Sequence, residues 1–143
     1  MSQLLDIQNE IIEEFQVFED WMDKYNYLIE LSNELTALPE QNRTNVNLIE
    51  GCQSKVWLVA EYRDGLLHFT ADSDAIITKG IVALLIRVLS GRPPEEIKDA
   101  PLFFIDEIGL KDHLSPTRAN GLLAMVKQMK LYALAYYAKQ QKQ

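Results

Sequence analysis

Apolar side chains recur at three- and four-residue steps over the first 38 residues, which is the spacing of one buried face of a helix. The first stripe consists of Leu4, Ile7, Ile11 and Phe15. After a break near residues 18–20, a second stripe extends from Trp21 to Leu35. The pattern predicts two helices over residues 4–38. Pro39 ends this region, because the residue before a proline avoids helical geometry.

The spacing of apolar residues changes in the middle of the chain. Residues 56–62 and 66–71 are rich in side chains that favour strands, and Arg63-Asp64-Gly65 joins the two segments. Because both positions of an Asp-Gly turn tolerate positive φ, the pattern predicts an antiparallel hairpin. A shorter third strand is predicted around residues 46–49, within the otherwise polar segment 40–54.

Helical patterns return after the hairpin. Residues 75–90 are apolar nearly all round, which predicts a deeply buried helix, with Asp72-Ser73-Asp74 as its N-terminal cap. Further helices are predicted at residues 94–97, at residues 102–108 and from Ser115-Pro116 to about Lys139. The whole predicts one α+β domain over residues 1–143, in which a small antiparallel β-sheet of about three strands packs against several helices.

Composition and charge narrow the classes of partner. The chain has 143 residues with 48% apolar and 24% charged side chains, which is typical of one soluble globular domain. Its net charge of −7 argues against nucleic acid as a partner. No apolar run is long enough to span a bilayer, and the first residues do not resemble a secretion signal. These features predict a cytoplasmic protein with no membrane partner.

The single cysteine, Cys52, is the strongest candidate for chemistry. It follows Gly51 in a polar stretch, whereas buried cysteines usually lie inside apolar runs. The position predicts an accessible loop, although a structurally neutral cysteine remains an alternative. A reactive thiol also requires a nearby cation or helix N-terminus, for which Lys55, Arg92 and Arg118 are the candidates.

Two other kinds of site use the same cysteine. Paired with His68 or His113, Cys52 could act as the nucleophile of a thiol-dependent hydrolase or transferase. Together with one of these histidines and Asp72 or Asp74, it could ligate a metal, although no recognisable ligand spacing supports such a site. A third interpretation is a non-catalytic interaction module that acts through its acidic surface.

Three blocks of residues occur in an order that points to one known family. They are Gly51-Cys52-Gln53-Ser54-x-Val56-Trp57, then Phe69-x-Ala71-Asp72-Ser73-Asp74-Ala75-x-Ile77-x-Lys79-Gly80, and finally Gly109-Leu110-x-x-His113-Leu114-Ser115-Pro116-Thr117-Arg118-x-Asn120-Gly121-Leu122. The blocks resemble the SufE family of sulfur-acceptor proteins, and the similarity covers nearly the whole chain. This resemblance implies the α+β fold of SufE/IscU-like proteins, with the cysteine on an edge loop.

The resemblance implies a role in iron–sulfur cluster assembly. Members of the family accept sulfur from a pyridoxal-phosphate-dependent cysteine desulfurase of the SufS type, stimulate that enzyme, and pass the sulfur to a SufBCD-like scaffold. By position, Cys52 is the persulfide acceptor and Arg118 polarises the sulfur site. The positions expected to contact partners are Gly51, Gln53, Ser54, Asp72, Asp74 and Asn120.

The same resemblance sets further expectations. The chain is expected to be a sulfur carrier and desulfurase activator, not a free-standing enzyme. It is expected to need no metal or cofactor, because pyridoxal phosphate stays with the desulfurase. A monomer or weak homodimer is expected, and the motifs do not separate SufE from the related CsdE subfamily. Finally, the cysteine loop is expected to fold back in the free protein and to evert when a partner docks.

Overall fold

The computed structural model describes residues 2–36, 38–52 and 54–141, and in these residues it contains six α-helices and two strands. The helices are α1 (Ser2–Gln16), α2 (Trp21–Ser32), α3 (Ile76–Leu89), α4 (Pro94–Lys98), α5 (Phe104–Glu107) and α6 (Pro116–Gln141). The strands are β1 (Val56–Arg63) and β2 (Leu66–Ser73). The α+β prediction is confirmed. None of these helices is long and apolar enough to cross a membrane.

The predicted hairpin is present. Strands β1 and β2 pair antiparallel, from Val56 opposite Ser73 to Arg63 opposite Leu66. Asp64 and Gly65 have φ values of 54° and 80°, as expected for a two-residue turn whose twist matches that of the strands. The inward side chains of the hairpin are buried against the helices.

The prediction of a third strand is wrong. Residues Asn45–Asn47 form a single 3₁₀ turn, and Leu48 makes only an isolated antiparallel bridge to Trp57. The asparagines on both sides of Val46 favour turns through their side-chain hydrogen bonds, so this segment is drawn into a 3₁₀ turn. The pairing therefore stops before a ladder can form.

Helix α3 is the centre of the core. Its largely apolar sequence fits this position, because α2, β2, α1 and α6 all pack against it. The closest approach is at Gly80, which lies directly against the backbone of Leu28 in α2. The buried residues of α3 are Thr78, Gly80, Ile81, Val82, Ala83, Leu84, Leu85, Val88 and Leu89.

The predicted cap of α3 is wrong. The N-cap residue is Ala75, and no side chain caps this helix. Asp72 and Ser73 instead complete β2, whose pairing with β1 continues to Ser73 opposite Val56. Backbone pairing in the ladder thus takes precedence over the local preference of Asp and Ser for a cap position.

The ends of the other long helices agree with the sequence to different degrees. Helices α1 and α2 are separated at the predicted break, but α2 ends at Ser32, well before Pro39. The hydroxyl of Ser32 donates to the Ile29 carbonyl at 2.5 Å, a local bond that competes with continuation of the helix. Helix α6 begins as predicted, because Ser115 Oγ accepts a hydrogen bond from the Arg118 amide at 3.3 Å.

Replacing Gly80 by alanine should destabilise the protein. A Cβ at this position would lie 2.8 Å from the Leu28 carbonyl carbon and closer still to its oxygen. Because backbone atoms cannot swing aside, α2 and α3 would have to separate, at a cost of about 1–3 kcal/mol in the free energy of unfolding. Urea denaturation followed by circular dichroism measures this change.

Gly121→Ala is the matched control, because Gly121 is also a buried helical glycine. Its Cβ would meet Cys52 atoms at 3.5 Å or more, which is ordinary van der Waals contact. We therefore expect this variant to be at least as stable as wild type, since alanine favours a helix more than glycine does. An unfolding midpoint of Gly80→Ala equal to that of wild type would contradict the close packing of α2 and α3.

Candidate functional site

Cys52 lies on a short loop whose base is closed by a backbone hydrogen bond. The Ile49 amide donates to the Val56 carbonyl at 2.9 Å, and both side chains are buried. At the tip, Gly51 has φ 92°, a conformation that glycine adopts without strain. A Cβ on Gly51 would be 3.4 Å from that of Ala124, so the tip rests on helix α6.

The end of this loop is clamped by the residues that were predicted to cap α3. Asp74 Oδ1 accepts from the Lys55 amide at 3.0 Å. The Lys55 carbonyl accepts from Ser73 Oγ at 2.9 Å and from the Asp74 amide at 3.2 Å. Ile49 and Lys55 are thus both held by the hairpin, and the described loop residues between these two anchors are Glu50, Gly51, Cys52 and Ser54.

The Cys52 side chain points back toward the protein. It is half-buried, and its Sγ lies 3.6 Å from the Gly121 carbonyl, where it makes a weak hydrogen bond as donor. A small cavity of about 30 Å³ adjoins the sulfur, which is room for one or two water-sized groups. The residues that line it are Cys52, Ser54, Thr78, Ile81, Thr117, Arg118, Gly121 and Met125.

Five of the lining residues were not predicted as site residues from the sequence: Thr78, Ile81, Thr117, Gly121 and Met125. Gly121 has no side chain, which leaves open the wall of the cavity against Cys52. Thr78 and Thr117 come from the first turns of α3 and α6 and place two hydroxyl groups around the cavity. Thr117 and Gly121 both belong to the third block of the resemblance, which could have indicated them. Thr78 carries no comparable signal, because only folding brings α3 to the loop.

The electrostatics of the site keep the thiol protonated. Burial raises the pKa of Cys52 above its ordinary value. Of the three candidate cations, only Arg118 lines the cavity, and in the described part of the chain its guanidinium has no ion-pair or hydrogen-bond partner. The candidacy of Arg92 is wrong, because its buried side chain donates from Nε to the Val88 carbonyl at 2.6 Å and contacts Gln3.

The other predicted partner-binding positions differ in exposure. Asp72 is only 2% exposed, and it forms ion pairs with Arg43 and, at 3.4 Å, with Lys79. It therefore holds the segment before the cysteine loop and offers little surface to a partner in this conformation. Asp74 and Asn120 are exposed, and Ser54 is partly buried at the cavity. Gln53 lies outside the described residues.

The structure does not bring a histidine to the thiol. His68 lies on β2 beside Gly91. His113 stacks on the ring of Trp21 with centroids 4.0 Å apart, and its Nδ1 is 3.0 Å from the Gly109 carbonyl. Neither ring lines the Cys52 cavity. Within the described residues, no three histidine, cysteine or carboxylate side chains come close enough together to hold a metal ion.

Comparison with known proteins identifies relatives over most of the chain. The sequence profile of a family described as "SufE: Fe-S metabolism associated domain" matches residues 9–133, which extend from within α1 far into α6. An uncharacterized SufE-like protein of Rhizobium meliloti is 42% identical over 128 residues, which cover 85% of this chain and 91% of the relative. The match to the family profile therefore includes the hairpin, the cysteine loop and every residue that lines the cavity.

A plant protein and a solved structure extend the comparison. The SufE-like protein 1, chloroplastic/mitochondrial, of Arabidopsis thaliana is 42% identical over 127 residues, which cover 87% of this chain but 34% of the plant protein. A cytoplasmic location for the present chain therefore stays a prediction. The solution structure of a hypothetical protein from Thermus thermophilus superposes with a TM-score of 0.75 and 19% identity, and it covers 92% of this chain and 96% of that one. It shares the fold.

The thiol should react as a buried group until the loop moves. Because burial raises the pKa of Cys52, its alkylation by iodoacetamide should rise with pH around a midpoint above the ~8.5 of an unperturbed thiol. At pH 8 the native protein should therefore carry less thiolate and react more slowly than the same chain unfolded in guanidinium chloride. The unfolded chain is the control, with a midpoint near ~8.5. A native midpoint at or below that of the unfolded chain would show that burial does not govern the thiol.

Proposed function

The chain belongs to the SufE family, and on that premise we propose that Cys52 accepts sulfur as a persulfide from a cysteine desulfurase of the SufS type and delivers it to an iron–sulfur scaffold. The observation that carries this proposal is the placement of the single thiol. It lies on a short loop over a small cavity that has Arg118 and three hydroxyl-bearing side chains in its walls. Residues 9–133 match the family described as an Fe-S metabolism associated domain.

The transfer is a thiol exchange in which no net electrons are gained or lost. The thiolate of Cys52 attacks the outer sulfur of the donor's cysteine persulfide, and a new S–S bond forms at Cys52 Sγ. The S–S bond of the donor breaks, and the donor cysteine leaves as a thiolate. The proton lost by the Cys52 thiol passes to solvent or to a base on the donor. Pyridoxal phosphate stays with the desulfurase, where it releases sulfur from free cysteine.

The folded-back loop suits storage of the sulfur better than the attack itself. In this state the thiol is half-buried and its pKa is raised, so little thiolate is present at neutral pH. The attack therefore requires residues 50–54 to turn outward, which exposes the sulfur to water and lowers its pKa toward the ordinary value. After transfer, the loop can return and place the added sulfur in the cavity, away from reductants.

A role for Arg118 in recognising the added sulfur is supported by its position in the cavity wall. A persulfide is more acidic than a thiol, so its outer sulfur carries negative charge at neutral pH. Arg118 lines the cavity next to Cys52, in the N-terminal turn of α6, where the helix dipole also favours an anion. We propose that Arg118 holds the persulfide in the returned state and orients it during exchange.

The sulfur-carrier function is tested by intact-protein mass spectrometry after incubation with a purified cysteine desulfurase, pyridoxal phosphate and free cysteine. Wild type should gain the mass of one or more sulfur atoms, and dithiothreitol should remove the gain. Cys52→Ser is the matched control and should gain nothing. An unchanged mass of the wild-type protein under conditions in which the desulfurase turns over would overturn the proposal.

Arg118→Ala should accept sulfur about tenfold more slowly at limiting desulfurase. Its unfolding midpoint should stay near that of wild type, because the guanidinium makes no ion pair with a described residue. Arg118→Lys keeps the charge but loses the planar guanidinium, and it should recover part of the rate. The initial rate of mass gain measures both variants. A rate for Arg118→Ala equal to that of wild type would make Arg118 an ordinary surface cation.

Hydrogen exchange tests the movement of the loop. On addition of desulfurase, the amides of Glu50, Gly51 and Cys52 should change their exchange rates as the loop leaves α6. The amides of Ile49 and Lys55 should stay protected, since their hydrogen bonds belong to the hairpin. Those two amides are the internal control. Unchanged exchange at residues 50–52, measured where desulfurase binding is saturated, would contradict eversion.

A further inference from the structure

Helix α6 is apolar on two opposite faces. Its inner stripe is buried in the core and consists of Leu122, Met125, Met129 and Ala133. On the outer side, Leu123, Leu131 and Leu134 are 49%, 46% and 50% exposed. Their spacing of eight and three residues places them along one side of the helix. A helix that is apolar on both sides is usually covered by other protein on both sides. In the described residues, only the inner side of α6 is covered.

The charge of this region is opposite to that of the rest of the chain. Residues 114–143 contain no acidic side chain, although the chain as a whole has a net charge of −7. The basic residues in this segment are Arg118, Lys127, Lys130, Lys139 and Lys142. Lys127 is exposed within the outer apolar stripe, and Lys130 lies beside it with its Nζ donating to the Ala100 carbonyl at 2.7 Å. The outer side of α6 is therefore both apolar and positively charged.

This side is also shaped as a pair of grooves. One groove, of about 470 Å³, runs between α6 and residues 45–50. The second, of about 360 Å³, runs between α6 and the end of α4 at Lys98 and Asp99. Lys127 and Leu131 line both grooves, so the two form one continuous surface. We call this surface, made of Leu123, Lys127, Lys130, Leu131 and Leu134 with the two grooves, the α6 outer face.

We propose that the α6 outer face is a docking site for an amphipathic helix of a partner protein, one that presents carboxylates beside apolar side chains. An apolar ridge between two grooves fits the apolar side of a partner helix, and Lys127 and Lys130 fit its acidic side chains. The proposal rests on the proposed function, because the partner is the protein that gives sulfur to Cys52 or receives it.

The α6 outer face adjoins the cysteine loop. Ile49 and Glu50 form part of the wall of the first groove, and the tip of the loop at Gly51 rests on Ala124, which lines the same groove. The Cys52 cavity shares no lining residue with either groove. A helix seated in the first groove thus touches the base of the loop without blocking the sulfur. Docking at this surface can bring a partner to Cys52 and leave residues 50–54 free to turn outward.

The groove walls favour a protein partner over a lipid surface. Neutral Asn45 and Asn47 line the first groove and offer hydrogen bonds to a peptide. A bilayer is flat, whereas this surface is ridged. A second copy of the chain is a competing occupant, because α1 is itself acidic and amphipathic.

The experiment measures binding of purified cysteine desulfurase and, separately, of purified scaffold complex to the full chain by isothermal titration calorimetry. The variants are Lys127→Glu, Leu131→Glu and Leu134→Glu. For one of the two probes we expect each variant to lower the affinity about tenfold or more, because each places a charge against an apolar or acidic contact. The wild-type affinity for that probe should also fall with added salt.

Two exposed positions away from this surface supply the matched controls. Arg63→Glu reverses a charge at the hairpin turn, where Arg63 pairs only with Glu61 among the described residues. Val17→Glu places a carboxylate at a residue that is 75% exposed after α1. Neither control should change the affinity for either probe, and circular dichroism should show that all five variants are folded.

The outcomes separate this proposal from the carrier function. Wild-type affinities for both probes in all three variants would overturn the docking site, whether or not Cys52 gains sulfur. Loss of affinity shared equally by the two controls would also overturn it. Two other outcomes would give the surface a different occupant, provided that both probes still bind the three variants. If wild type binds anionic phospholipid vesicles and the three substitutions abolish this binding, the surface contacts a membrane. If wild type self-associates in sedimentation and the three substitutions abolish this self-association, the surface contacts a second copy of the chain. Absence of sulfur on wild-type Cys52, by contrast, would remove the carrier function.

Discussion

The closure of the cysteine loop against helix α6 is the constraint on which the other features of the site depend. The bond from the Ile49 amide to the Val56 carbonyl joins the loop to the hairpin, and the Asp74 carboxylate holds Lys55. In this conformation the tip of the loop between these anchors rests on α6. That contact places Cys52 beside the Gly121 carbonyl and closes the small cavity. Without the hairpin anchors, a glycine-containing loop of this length would populate many conformations.

The closed loop also sets the accessibility and the reactivity of the Cys52 thiol. A half-buried thiol is protected, and its raised pKa makes it a poor nucleophile. A carrier gains from that protection, because a persulfide in solution is readily reduced or exchanged. Because the thiol is buried in this state, it becomes reactive only when the loop moves or when a partner contacts it. The anchors confine such movement to residues 50–54, so exposure of the sulfur need not disturb the core.

Helix α6 connects the chemical and the recognition parts of the molecule. Its first turns supply Thr117, Arg118 and Gly121 to the cavity, and its inner stripe anchors it in the core. The outer side of its later turns is apolar and basic, next to the base of the cysteine loop. A partner that binds there would act on the loop through direct contact, since Gly51 and Ala124 touch. No long-range transmission through the fold is needed.

The local sequence determined the hairpin, the buried character of α3, the start of α6 and the single candidate nucleophile, because turn geometry, apolar periodicity and a single cysteine are properties of short segments or of composition. The resemblance to a family pointed to Arg118. Only the tertiary structure decided three other features. Asp74 clamps Lys55 and does not cap α3, and residues 46–49 make one bridge and no strand. Arg92 is buried away from the thiol. The tertiary structure also brought Thr78 to Cys52 across many intervening residues. These outcomes depend on which backbone groups meet across the fold. Backbone pairing and burial that arise only when the chain packs override the local conformational preference of the residues involved.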